Sequence, residues 1–329
     1  MKPIAIKSNQ PANFIKIGYS PTDVCNYKCR YCFPGSNAGK YRWPSNYKKV
    51  ADNFKHLFDF YQKNGKDKIE LQILGGEPTL WPELANFINE LKSTHDFITT
   101  IQTNASRTLR WWQQYATTFD RVILSAHYKE INLKHFTSVA DALYESKVYV
   151  DVTVCMDPLA WDQCLDMVSY LKEYSKHKWY IGTQKIEEVG GVNLYTPEQL
   201  SYLSNSIKRY PALWYAFSMR KNFNINRSKI MFDDGSSKKV KHNQVQLNNW
   251  NKFYGWQCNI GIDMLLIDPT GQMAGSCGQN LYGLEDKFNI YNDNFITEFN
   301  PILKPANCKS LGCYCTPETL VTKSINFIK

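Results

Sequence analysis

Cys25-Asn-Tyr-Lys-Cys29-Arg-Tyr-Cys32 places three thiols within eight residues. Thiolates select soft metals and iron-sulfur clusters. Three ligands is the informative count. A closed structural zinc site takes four and usually spaces them in CxxC pairs, whereas a cubane cluster held by three cysteines keeps one iron open to an outside ligand. Five more cysteines gather near the other end, at Cys258, Cys277, Cys308, Cys313 and Cys315, while Cys155 and Cys164 stand apart. The amino-terminal residues Met1 to Asn13 carry lysines but no apolar signal-peptide core. The cysteines are therefore read as metal ligands or redox groups in a reducing cytoplasm, not as a disulfide framework.

The elements that must position the first triad are legible in the hydrophobic pattern. Six β-rich runs, Phe14 to Tyr19, Ile69 to Leu74, Phe97 to Gln102, Arg121 to Ala126, Lys147 to Val154 and Trp179 to Ile186, alternate with helical stretches. The helices are expected at Asn46 to Asn64, Pro82 to Thr94, Thr108 to Thr117, Leu133 to Ser146 and Pro158 to Ser175, several opened by Pro, Thr or Ser. This βα rhythm predicts an α/β fold, a partial (β/α)6 barrel of parallel strands with right-handed crossovers. Chemistry in such sheets gathers beyond the carboxyl ends of the strands, and the CxxxCxxC loop directly follows the first run.

Two further signals sit at the same ends. Gly75-Gly76-Glu77-Pro78 follows the second run and Thr103-Asn104 the third, with Ser125 and His127 at the end of the fourth. With Tyr31 as the aromatic between the last two cysteines of the loop, this ordered set resembles the radical S-adenosylmethionine superfamily over about the first 190 residues. The resemblance implies a [4Fe-4S] cluster on Cys25, Cys29 and Cys32, with S-adenosylmethionine bound through its amino and carboxylate groups to the open iron. It implies contacts from the GGEP segment to the amino group and from the Ser125 and His127 region to the ribose. It also implies a one-electron reductant such as flavodoxin or ferredoxin and a 5'-deoxyadenosyl radical that abstracts hydrogen from an unactivated carbon. A bland reading of the same residues remains: a strand-end turn at Gly75-Gly76, a helix-start charge at Glu77, a cap at Thr103-Asn104, a satisfied core histidine at His127. The loop Gly35 to Lys40 is one residue short of a phosphate-binding P-loop, and Tyr41 replaces the hydroxyl that would hold magnesium.

Beyond Gly191 the rhythm changes. A capped helix from Thr196 to Arg209 precedes a basic stretch, Arg220 to Lys241, with seven Lys or Arg against Asp233 and Asp234. That is more than half of the net charge of +9, and it is read either as a solvated face or as a grip on an acidic partner. A hairpin is expected at Met264 to Ile267 and Gln272 to Ala274, turned by Asp268-Pro-Thr-Gly271. The five late cysteines resemble the auxiliary-cluster extensions called twitch or SPASM domains. Five thiols suit one additional [4Fe-4S] cluster, the twitch count, with a structural zinc as the alternative. The expected organisation is a barrel over residues 1–190, a bridging helix and basic hairpin over 191–257, and an auxiliary-cluster unit over 258–329.

Length and composition bound the rest. With 329 residues at 43% hydrophobic the chain can bury a large core without staples, and no apolar run approaches the roughly 18 residues of a membrane-spanning helix. Strand parity in Lys147 to Val154 turns the valines toward helices and Asp151, Thr153 and Cys155 toward the barrel interior. There Cys155 is either a space-filling thiol or a hydrogen donor to a substrate radical, and Cys164 belongs to the core. The substrate expected is a peptide undergoing epimerisation, crosslinking or oxidation, although the thirteen residues before the first run are too few for a peptide-recognition domain. A small sugar, nucleotide or amino acid is the alternative. Nucleic acid ranks lower because no RNA-binding module is visible. A zinc-stapled binding protein is the non-enzymatic reading.

Overall fold

The computed structural model describes residues 1–32, 37–186, 194–205, 228–240, 242–274, 288–313 and 321–325. In chain order the first half runs β1 (Pro3–Ser8), β2 (Phe14–Tyr19), α1 (Tyr47–Lys63), β3 (Lys68–Ile73), α2 (Leu84–Lys92), β4 (Ile98–Thr103) and α3 (Leu109–Tyr115). It continues through β5 (Arg121–Ala126), α4 (Leu133–Glu145), β6 (Tyr149–Met156), α5 (Trp161–Ser175) and β7 (Tyr180–Lys185). The second half contributes α6 (Pro197–Asn205), β8 (Ser228–Phe232), β9 (Ser237–Val240), α7 (His242–Leu247), β10 (Gln257–Cys258), β11 (Met264–Ile267), β12 (Met273–Ala274), α8 (Phe295–Glu298), β13 (Ala306–Asn307) and β14 (Lys323–Ser324).

Strands β2 to β7 pair in sequence order and in parallel, so their carboxyl ends open on one mouth. The helices form because their apolar residues fall on one face, and the first turns of α1, α3 and α4 are capped by side chains. On α1, Val50, Phe54, Leu57, Phe58 and Tyr61 follow the helical period and are buried. Asn46 Oδ1 accepts from Lys49 N at 3.2 Å, Thr108 Oγ1 from Trp111 N at 3.3 Å and Asn132 Oδ1 from His135 N at 3.1 Å. Truncating a fully buried ring such as Phe54 to Ala would cost about 3–5 kcal/mol.

The expected strand runs agree with the structure to within two residues. Lys147, expected as strand, instead takes a positive φ of 62° in the turn between α4 and β6. The helix expected from Pro82 starts later, because the chain first makes a 3-10 turn at Pro78–Leu80 capped by Glu77. Of the helix expected from Thr196 to Arg209, residues 206–209 lie outside the described residues. The basic hairpin forms as β8 and β9, turned at Gly235 with φ 81°.

Two pairings depart from the pattern read in the sequence. The amino-terminal residues, where no strand is expected, form β1, which pairs antiparallel with β8 and β14 in a second, six-stranded sheet ordered β13-β10-β14-β1-β8-β9. The late hairpin does not stand alone: β11 lies parallel to β2, with Leu266 opposite Gly18, and makes a seventh parallel strand. A Cβ on Gly18 would lie 2.4 Å from Leu266 Cδ2, the movable end of that side chain, and 3.8 Å from the Leu265 carbonyl oxygen. Among the described residues no helix is long and apolar enough to cross a membrane.

Candidate active site at the barrel mouth

The loop after β2 is tied down before it reaches the cysteines. Buried Asp23 accepts from Tyr41 N at 2.6 Å and Lys40 N at 3.2 Å, and Thr22 Oγ1 donates to Tyr41 O at 2.8 Å. Beyond it, Tyr27 N donates to Cys25 Sγ at 3.4 Å and Cys32 N to Cys29 O at 3.1 Å, which curls the chain tightly around the triad. Cys25, Cys29 and Cys32 form no disulfide, and each is half-buried. Burial, with the neighbouring thiols of Cys32 and Cys25, pushes Cys29 up to about 12, and burial also raises Cys25. Among the described residues no three His, Cys, Asp or Glu side chains stand together in a metal-binding array.

The glycine turn packs directly against this loop. Gly76 N donates to Thr22 O at 2.9 Å and Glu77 N to Val24 O at 2.8 Å. A Cβ on Gly76 would fall 2.2 Å from Val24 O, and one on Gly75, at φ 127°, 2.5 Å from Thr22 O. Only glycine allows so close a backbone approach.

Glu77 is buried, and its carboxylate gathers four donors. Oε1 accepts from Thr79 N at 3.0 Å, Thr79 Oγ1 at 2.5 Å and Thr103 Oγ1 at 2.7 Å, and Oε2 from Asn104 N at 2.8 Å. Burial raises its pKa while these hydrogen bonds pull it back. Asn104 in turn donates through Nδ2 to Asn26 Oδ1 at 3.0 Å, 3.9 Å from Cys25 Sγ. The cluster loop, the glycine turn and the end of β4 thus form one connected unit.

Beyond the end of β5, Tyr31 Oη lies 3.0 Å from His127 Nδ1, and burial holds His127 down to about 4. Burial, reinforced by the thiols of Cys155 and Cys29, raises the Tyr31 phenol. Ser125 is buried and accepts from Gln102 Nε2 at 3.4 Å. Cys155 is half-buried on the interior face of β6, where burial and the thiols of Cys29, Cys164 and Cys32 push it up to about 12. Cys164 is fully buried in the core, and its Sγ lies 3.6 Å from Cys155 O.

Sequence reading alone missed Arg30, Asp157 and Asn26. Arg30 Nε donates to Asp157 Oδ2 at 3.1 Å and its Nη2 pairs with Oδ1, which fastens the cluster loop to the segment after β6. Their separation of 127 residues leaves no local signal. A cavity of about 400 Å³ opens beside the loop, walled by Tyr27, Asn104, Ser106, Glu130 and His135.

At the other end of the chain, Cys258, Cys308 and Cys313 are buried and form no disulfide. Cys308 N donates to Trp256 O at 2.7 Å and Cys313 N to Asn251 O at 2.8 Å, and both thiols pack in a cluster with Ile6, Phe253 and Trp256. Cys258 packs instead with the barrel core. Cys277 and Cys315 lie outside the described residues.

Comparison with known proteins falls on the same region. Residues 19–128 match the family model described as Radical SAM superfamily. The S-adenosylmethionine-dependent nucleotide dehydratase of Fibrobacter sp. (strain UWH6) is 39% identical over 98 residues, 28% of each chain. The GTP 3',8-cyclase of Haemophilus ducreyi is 33% identical over 105 residues, 30% of this chain and 29% of the relative. The matches thus span less than a third of these curated relatives. Among solved structures, histidine-tagged anSMEcpe with bound AdoMet superposes with a TM-score of 0.52 at 16% identity, covering 87% of this chain and 78% of that one. Streptococcus suis SuiB gives 0.50 at 14%, covering 90% and 68%. At such identity the structural likeness is one of fold. The match begins at Tyr19, where β2 ends, and closes at Tyr128 beside His127, so it encloses the cysteine loop and the glycine turn that Glu77 binds to β4: residues 19–128 are a radical SAM domain, a member of the radical SAM superfamily.

Proposed function

We propose that the chain is an enzyme that reductively cleaves S-adenosylmethionine and uses the resulting radical on a peptide. The carrying observation is the connected unit at the mouth, where three cysteines on one loop are held against the glycine turn through Glu77 and Asn104. The donor set fits a [4Fe-4S] cluster, since three thiols leave a fourth iron for an outside ligand. When bound, the cluster and S-adenosylmethionine together supply one-electron cleavage to a 5'-deoxyadenosyl radical. Cys25, Cys29 and Cys32 hold the cluster. Gly75, Gly76, Glu77 and Pro78 shape the wall that receives the amino group, with Thr103 and Asn104 bracing Glu77 from β4. Tyr31, Ser125 and His127 face the nucleoside part of the cofactor, and Cys155 on the interior wall serves as hydrogen donor.

The late cysteines, Cys258, Cys277, Cys308, Cys313 and Cys315, are assigned to one auxiliary [4Fe-4S] cluster in a twitch-like unit. The electron for the first site comes from an external reductant such as flavodoxin or ferredoxin, in the cytoplasm. Peptide modification is favoured by the open interior, in which Gln102 is exposed and Thr153 only half-buried. A second reading has an observation of its own: the curated relatives are named for nucleotide reactions, which supports a small nucleotide as substrate.

The test is anaerobic incubation of reconstituted protein with dithionite, S-adenosylmethionine and either peptides or nucleotides. Joint mass analysis should show 5'-deoxyadenosine together with a peptide of altered mass or stereochemistry. Absence of 5'-deoxyadenosine from iron-loaded protein would overturn the radical assignment. A modified nucleotide with untouched peptides would replace the substrate class.

A further inference from the structure

The barrel interior sorts charge by depth. On its floor, Lys16 Nζ lies 3.0 Å from Glu70 Oε2, and Thr100 Oγ1 donates to Glu70 Oε1 at 2.7 Å. Beside them Arg121 Nε donates to Asp151 Oδ2 at 2.7 Å, and Tyr149 Oη donates to Asp151 Oδ1 at 2.9 Å. Two cations meet two carboxylates, all from strands β2, β3, β5 and β6, so the floor is electrically closed. Arg121, Glu70 and Asp151 are nearly inaccessible to solvent.

One layer nearer the mouth the character changes. Two residues on from Thr100 is Gln102, exposed, donating to Ser125 Oγ, and Ser125 stands opposite Thr153 in the strand register. On the other side Leu266 and Leu74 converge on Gly18, where a Cβ would lie 2.4 Å and 3.5 Å from their Cδ2 atoms. Gln72, opposite Gly18, accepts from Lys16 Nζ of the floor at 3.3 Å, so this layer offers two amides, two hydroxyls and two leucines. Among the described residues it holds no charged side chain. The charges nearest the rim are also engaged: Glu77 by four donors and Asp157 by Arg30, while Glu130 is exposed at the edge.

We propose that this layer receives an uncharged polar or aliphatic residue of the peptide substrate, with Gln102 and Thr153 as its hydrogen-bonding side and Leu266 as its apolar side. A charged group entering here sheds its hydration and, among the described residues, meets no unpaired counter-charge, because the floor ions are already paired. Leu266 belongs to a strand contributed from 248 residues beyond Gly18 in the chain, so the carboxyl-terminal half sets selectivity inside the barrel. This rests on the peptide reading above.

The probes are acetylated, amidated tripeptides Ala-Xaa-Ala with Xaa as Gln, Ser, Leu, Glu or Lys, alongside GTP. Calorimetric binding to the reconstituted protein and 5'-deoxyadenosine formation are measured separately. Neutral Xaa should bind about tenfold or more tighter than Glu or Lys. Gln102→Lys, at an exposed position that accommodates the longer chain, should move the preference to Xaa as Glu. Equal binding of charged and neutral peptides, binding of GTP alone, no peptide binding, or an unchanged ranking in Gln102→Lys each overturns the assignment. Neutral-selective binding without any 5'-deoxyadenosine would instead sink the radical reading and leave the interior assignment standing.

Discussion

Tyr31 of the cysteine loop and His127 at the end of β5 are joined by a 3.0 Å contact between hydroxyl and Nδ1, with their rings stacked 5.8 Å apart. The contact ties the cysteine loop to the end of β5, and desolvation keeps the imidazole neutral. With the folded pKa near 4 and the unfolded value near 6.5, the unfolded chain binds the extra proton between these values. The contribution to stability is therefore complete above about pH 6.5 and is lost as pH falls toward 4. Histidine NMR of the native chain should show one imidazole that does not titrate near 6.5, and the urea midpoint should drop through this window less steeply in His127→Gln.

Glu77→Ala leaves four donors facing a buried gap. A loss of about 2–5 kcal/mol in urea denaturation is expected, because each unsatisfied buried donor carries a desolvation penalty. Glu77→Gln should lose less, since it retains one acceptor oxygen. Full stability in Glu77→Ala would dissolve the connected unit at the mouth.

Asp151→Ala strands the Arg121 guanidinium on the barrel floor, where both side chains are nearly inaccessible. Breaking such a pair costs about 3–5 kcal/mol, whereas replacing both partners by apolar residues of similar volume, Arg121→Met with Asp151→Leu, should recover most of it. Thermal unfolding of the single and double variants measures the difference.

Ala at Cys25, Cys29 and Cys32 together removes every thiol of the first site and leaves the five distal ones. After anaerobic reconstitution this variant should retain about four irons and four sulfides while producing no 5'-deoxyadenosine, because a cluster with four protein ligands has no open iron. Zinc without sulfide would turn the distal site into a structural staple.

Lys238 and Lys239 lie exposed on β9, and Lys241 follows outside the described residues. If this patch steers an acidic partner, changing all three to Gln should raise the apparent Michaelis constant for flavodoxin or peptide at low salt and leave the iron content unchanged. The difference should shrink as ionic strength rises and the Debye length shortens to about 8 Å at 0.15 M.

The strand and helix order of residues 14–186, and the placement of Cys25, Gly75, Thr103 and Ser125 at strand ends, were determined by sequence alone. Hydrophobic period, capping residues and glycine turns act over a few residues and so are written locally. The parity that turned Asp151, Thr153 and Cys155 inward is local in the same way. Partner choice is not. Nothing near Glu77 announces that Thr103 and Asn104 will close on it, nothing near Arg30 names Asp157, and the four residues of β11 read equally well as half of an isolated hairpin. These were decided in three dimensions: a buried carboxylate takes whichever donors the fold brings near, and an uncovered strand edge pairs with the segment that can approach it. At β2 that segment is β11, which runs parallel to it from Met264 to Ile267.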